Sequence, residues 1–146
     1  MKKLTTTFLL FALVGCSAPY QKPQSGDTAI LMLPEIDGSS TRTFHIGKLD
    51  GNGCAIRPSR VKEESYSQKG LVHVPAGEDF FLSVRSRSNK TFCKGSAAMN
   101  LEKDKTYDPI ILSFSSYCAI RIIEKTEGEK GKTIDTRPLY SGCIKK

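Results

Sequence analysis

Four basic side chains crowd one short stretch of this 146-residue chain: Arg85, Arg87, Lys90 and Lys94, with no acid between Phe80 and Lys94. In "DFFLSVRSR" Arg85 and Arg87 stand two apart, so on a strand they share a face, together with Phe81 and Ser83. Guanidinium and ammonium groups on one face can bind phosphate or carboxylate, which makes this stripe a candidate surface for an anionic partner. The competing reading is a solvated sheet face, or lysines that blunt a strand edge against aggregation. Catalytic patterns are missing. G-x-S-x-G, H-E-x-x-H and a phosphate-cradling glycine loop do not occur. The neighbouring acids Glu63 and Glu64 sit in a polar stretch, and nothing in the sequence supplies a base for the serines of "SFSSYC". The expectation is a protein that is not an enzyme and carries no cofactor.

The N-terminus has secretory form. Lys2 and Lys3 precede the apolar run "FLLFALV", which is far short of the roughly 20 apolar residues of a spanning helix. The run ends in "LVGC", residues 13–16, which resembles the lipobox of bacterial lipoproteins. That resemblance covers the whole leader. It implies cleavage between Gly15 and Cys16, a diacylglyceryl thioether on Cys16, and an acyl chain such as palmitate on the new amino end. One chain alone anchors weakly, and each buried methylene adds about 0.8 kcal/mol. In enteric bacteria an Asp after the lipidated cysteine retains such proteins at the inner membrane. Ser17 stands there, so the resemblance implies the outer membrane, with the periplasmic face the expected one. Residues 17–27, "SAPYQKPQSGD", read as a flexible tether that spans about 36–40 Å when extended.

With Cys16 lipidated, four cysteines remain: Cys54, Cys93, Cys118 and Cys143. An even number in a small exported domain implies two disulfides. No C-x-x-C or H-x-x-x-H spacing favours a metal, and His45 and His73 lie in strand-like segments. Cys118 and Cys143 flank a polar turn near residues 128–131, so the preferred pairing is 118–143, leaving 54–93. Loss of the leader lowers the basic count from 22 to 20 against 15 acids, a net charge of +5. A moderately basic exported domain suits anionic partners such as lipid phosphates, lipopolysaccharide or acidic proteins. Nucleic acid is not an expected partner there.

The elements that must position these groups read as strands. "TAILML" is a short buried run. In "TRTFHIGKL" Phe44 and Ile46 share one face, Thr43 and His45 the other, and the run ends on the turn "DGNG". "AIRPSRVKEESYSQK" reads as a loop with one helical turn, because Pro58 argues against a central strand. "GLVHV" and "DFFLSVRSR" are strands, and "TFCKG" is a short edge piece. "SAAMNLEKDKTY" reads as carrying a helical turn. "PIILSF" places Ile110, Leu112 and Phe114 on one face, and "YCAIRIIEK" places Cys118, Ile120 and Ile122 together.

About seven short strands without a helical period predict an all-β fold, an antiparallel sandwich or barrel-like domain over residues 28–146. "VPAGEDFFLSV" followed by "LEKDKTY" is similar in layout to small bacterial sandwich lipoproteins, a set that includes one from type VI secretion machines. That resemblance transfers no functional residue. The expected role is non-catalytic binding or assembly at the envelope, with a membrane anchor and an envelope protein partner. The alternative is an inhibitor or exclusion factor that blocks a lysozyme, phage or conjugation partner.

Overall fold

Apolar and polar residues alternate through most of the chain, and that period of two makes strands. A computed structural model describes residues 18–34, 42–68, 70–87, 92–128 and 131–145. Among the described residues there are eleven strands: β1 (Thr28–Met32), β2 (Arg42–Leu49), β3 (Ala55–Arg60), β4 (Leu71–Pro75), β5 (Asp79–Arg87), β6 (Phe92–Asn100), β7 (Thr106–Ser113), β8 (Cys118–Glu124), β9 (Thr133–Ile134), β10 (Arg137–Pro138) and β11 (Ile144–Lys145). They form two sheets. Sheet A has the order β4-β1-β7-β8-β9, and sheet B the order β10-β6-β5-β2-β3-β11. The expected all-β sandwich is the observed fold. It is not a closed barrel, and two of its pairings, β1 with β7 and β3 with β11, are parallel. Among the described residues no helix is long and apolar enough to cross a membrane.

The core lies between the sheets. Phe44, Ile46, Phe80, Leu82, Val84, Ala97 and Met99 project into it from sheet B, and Ala29, Leu31, Val72, Val74, Tyr107, Ile120 and Ile122 from sheet A. Each large side chain buried in this way contributes about 1.5–3 kcal/mol. The shared face of Ile110, Leu112 and Phe114 is the outward one. These residues are 36%, 38% and 44% exposed, while Tyr107 faces in.

Four expectations need correction. The polar stretch of residues 17–27 is not all tether. Tyr20 is buried in the core, its N–H donates to the Arg60 carbonyl at 2.8 Å, and its hydroxyl donates to the His73 carbonyl at 3.0 Å. One aromatic ring filling the gap beside β3 and β4 is enough to dock the segment. Among the described residues every buried core residue lies between Tyr20 and Leu139, so a chain beginning at Ser17 contains this core and both disulfides.

Pro58 lies within a strand after all. Ile46 faces Ser59 and Lys48 faces Ile56, so Arg57 and Pro58 together oppose the single residue Gly47. This is a β-bulge, with Arg57 at φ 48°, and a bulge is where a strand tolerates a residue without an N–H. The helical turn expected in "SAAMNL" is strand as well. β6 pairs with β5 without a break from Asp79↔Asn100 to Arg87↔Phe92, and this ladder overrides the helical preference of Ala97 and Ala98.

The disulfides are Cys54–Cys143 and Cys93–Cys118, not 54–93 and 118–143. β8 and β9 do pair across a turn, at Ile122↔Ile134 and Ile123↔Thr133. The chain then leaves sheet A. β10 joins β6 in sheet B, and this switch within three residues carries Cys143 away from Cys118. Cys93 on β6 and Cys118 on β8 therefore staple the two sheets together.

The C-terminal segment passes from one edge of sheet B to the other between Pro138 and Ile144. Five strand spacings of about 4.8 Å make about 24 Å across a flat sheet, more than six extended residues reach. Sheet B must therefore curl. Arg137 Nη2 donates to the Gly53 carbonyl at 3.1 Å across the gap. The segment straps the outer face of sheet B and buries Leu139 against Ala55, Phe81 and Ala98 in a small second core. Gly47 belongs to this arrangement, since a Cβ there would lie 2.6 Å from the Phe81 ring.

Candidate anion-binding face

The outer face of sheet B reads as successive rows across its strands. The first row, Gly47, Phe81 and Ala98, lies under the strap. The second runs Arg60, His45, Ser83, Ser96 across β3, β2, β5 and β6. The third is Thr43, Arg85, Lys94, and the fourth pairs Arg87 with Phe92. Antiparallel register, not sequence proximity, assembles these rows. His45 is outward because Phe44 and Ile46 on either side of it are in the core.

Beyond the strap the face opens into a depression of about 250 Å³, lined by His45, Pro58, Ser83, Arg85 and Lys94. Arg85 and Lys94 are direct cross-strand partners. Like charges in that position are normally destabilising. Arg60, Arg85, Arg87 and Lys94 make no ion pair among the described residues. At the opposite end of the sandwich cations are paired: Lys103 with Asp27 at 2.9 Å, and Lys105 with Glu102 at 2.7 Å and Glu124 at 2.8 Å. At the floor the buried Ser96 hydroxyl donates to Ser83 Oγ at 2.9 Å. Ser83, as acceptor, keeps a proton to offer to a ligand. Cations around a hydroxyl donor suit a phosphate or carboxylate, which can take charge-assisted hydrogen bonds from them.

Burial, reinforced by Arg60, Arg85 and Lys94, pushes the His45 imidazole below its ordinary value of 6.5. At neutral pH it is the uncharged form that faces the depression. Because the folded chain holds the His45 proton less tightly than the unfolded chain, this group's contribution to stability is complete above the ordinary imidazole pKa. It is lost as the pH falls through the lowered value. An NMR titration of His45 is expected to give a pKa below 6.5 in the free protein. Arg85→Gln is expected to raise it by removing a repelling charge, and inorganic phosphate to raise it further. A value unmoved by both would show that the cations do not act on this site.

Of the expected stripe, Arg85 and Lys94 come together, Arg87 lies one row further out beside Phe92, and Lys90 lies outside the described residues. Gly15, Cys16 and Ser17 also lie outside them. The sequence reading missed Arg60, His45, Ser83 and Ser96 as members of the site. Alternation already pointed His45 outward, but only the β2–β3 and β2–β5 registers show which residues it meets. No family model, curated protein or solved structure matches the chain.

Proposed function

We propose that the protein is a lipid-anchored lipoprotein of the bacterial cell envelope with a non-catalytic binding role, engaging an anionic ligand through the outer face of sheet B. The observation that carries the binding role is the cluster of Arg60, Arg85 and Lys94 around His45, with no acid to neutralise it among the described residues. A surface needed only for solubility would intersperse signs. The anchor rests on the leader and on "LVGC" ahead of Ser17. Mass spectrometry of the mature protein is expected to find an N-terminal Cys16 carrying diacylglycerol and an acyl chain. Cys16→Ser is expected to lose these lipids and to move the protein from the membrane to the soluble fraction. Full-length recovery of an unmodified Cys16 would sink the anchor.

A further inference from the structure

The strand connections divide between two ends of the sandwich. One end, here the near end, gathers the end of β3, the start of β2, the end of β5, the start of β6 and the β7–β8 connection. Arg60, Arg85, Arg87 and Lys94 all lie toward it. The far end gathers the β2–β3, β4–β5, β6–β7 and β8–β9 turns and carries both signs, with Asp50, Glu78, Asp79, Glu102, Asp104 and Glu127 beside Lys103, Lys105, Lys125 and Lys132. The near-end acids among the described residues lie off the outer face of sheet B: Glu63 and Glu64 in the 3-10 turn after β3, next to Lys62, and Asp108 on β7 of sheet A, in a pocket it lines with Arg42. Among the described residues cations outnumber acids at the near end, while the two signs are interspersed at the far end.

The near end also carries exposed aromatics. Phe92 is 50% exposed beside Arg87, and Tyr117 is 55% exposed and bridged to Lys94. Tyr117 stacks on Phe114 with the ring centroids 4.6 Å apart. A free phosphate needs only the cations. Cations flanked by exposed aromatic rings fit a membrane interface, where the rings sit at headgroup level.

The N-terminal segment leads to the same end. Tyr20 is hydrogen-bonded to Arg60 at the near end of β3, and residues 21–25 then run past Ile46–Lys48 toward Pro75 and Glu78 at the far end. The chain before Tyr20 therefore emerges at the near end. Tyr20 stands four positions after Cys16, a reach of about 13–14 Å at full extension. A leash this short keeps the near end within about two screening lengths of the headgroups, about 8 Å each at physiological ionic strength, so little motion brings its cations into range. A lipid on Cys16 would hold this end, and no other, against the bilayer.

We infer that the near end of sheet B, with Arg60, Arg85, Arg87, Lys94 and the exposed rings of Phe92 and Tyr117, docks on the anionic headgroups of the bilayer that holds the anchor. This deepens the proposed function and rests on it for the identity of the bilayer. Binding to headgroups as such does not depend on the anchor. The short leash and the cationic end act together, since tethering raises the local concentration of headgroups at the face.

The test uses the unlipidated chain from Ser17, so a failed anchor and a failed docking surface give different results. The chain has no tryptophan, so Phe92→Trp and Lys125→Trp each introduce a single indole reporter, one at each end. With vesicles of phosphatidylethanolamine and phosphatidylglycerol, the emission of the Phe92→Trp variant is expected to shift to the blue and that of Lys125→Trp to stay unchanged. Phosphatidylcholine vesicles are expected to shift neither. Arg85→Gln with Lys94→Gln is expected to weaken vesicle binding about 25-fold, about fivefold per cation. Lys125→Gln with Lys132→Gln changes the net charge equally and is expected to leave binding unchanged. Equal losses in the two double variants, or no binding to anionic vesicles, would overturn the docking surface. So would a Phe92→Trp variant whose emission responds to inorganic phosphate but not to vesicles, which would make a free anion the ligand. An unmodified Cys16 beside intact vesicle binding would overturn the anchor alone.

Discussion

Replacing Cys54 and Cys143 with serine will destabilise the protein more than replacing Cys93 and Cys118. In the chain-entropy account a crosslink stabilises by restricting the unfolded chain, and the restriction grows with the loop it closes. The 54–143 bridge spans 89 residues and the 93–118 bridge 25, which gives about 4–5 and about 3–4 kcal/mol respectively. The native state adds to the difference. Without the 54–143 bridge the strap over sheet B is held by Leu139, Ile144, the Arg137 hydrogen bond to Gly53 and short strand pairings, and the cover over Phe81 loosens. Urea unfolding of the two double variants under non-reducing conditions measures the order directly. A smaller loss in the 54–143 variant would mean that the strap holds by its apolar contacts alone. Losing both bridges removes about 8 kcal/mol, which falls inside the whole net stability of an ordinary domain, about 5–15 kcal/mol.

Gly95→Ala is expected to cost about 3 kcal/mol or more. A methyl group on Gly95 would overlap the carbonyl of Cys118, where β8 begins against β6. Neither side can easily give way. Gly95 is paired with Val84 in the β5–β6 ladder, Lys94 bridges Tyr117, and the Cys93–Cys118 disulfide holds the same corner. Overpacking that a core can relax around costs about 1–3 kcal/mol, and here the obstacle is backbone. Gly51→Ala is the control. A Cβ there meets nothing within 4 Å, so its cost is expected within about 0.5 kcal/mol. Matching unfolding midpoints for the two variants would show that the start of β8 can slide away from β6.

Much of the sheet structure is legible in single segments. "DFFLSVRSR" alternates so regularly that both of its faces can be read, and "TRTFHIGKL" and "CAIRII" are nearly as clear. What is illegible depends on contacts between segments. Tyr20 is one aromatic in a polar, proline-containing stretch, and no period marks it as core. Pro58 is allowed in β3 because a bulge opposite Gly47 takes it out of the regular ladder. The cysteine pairing turns on the switch between sheets at 134–137, a step with no composition of its own. The same holds for the candidate anion-binding face. Arg85 and Arg87 announce themselves by spacing, while Arg60 and His45 join them only through the registers of β2 with its two neighbours.

The two bridges are nested, with 93–118 enclosed by 54–143, and nesting has a consequence for the order of assembly. A chain that emerges N-terminus first presents Cys54 and then Cys93 well before Cys143, which stands three residues from the end. Oxidation in order of appearance would join the first two, a non-native pair that ties β3 to β6 and leaves the last strand with nothing to lock onto. Native pairing therefore needs Cys54 to remain reduced until Cys143 has emerged, or a thiol catalyst to exchange the premature bond. The outer bridge seals the molecule late, so a chain cut short before Cys143 would leave an unpaired thiol at Cys54.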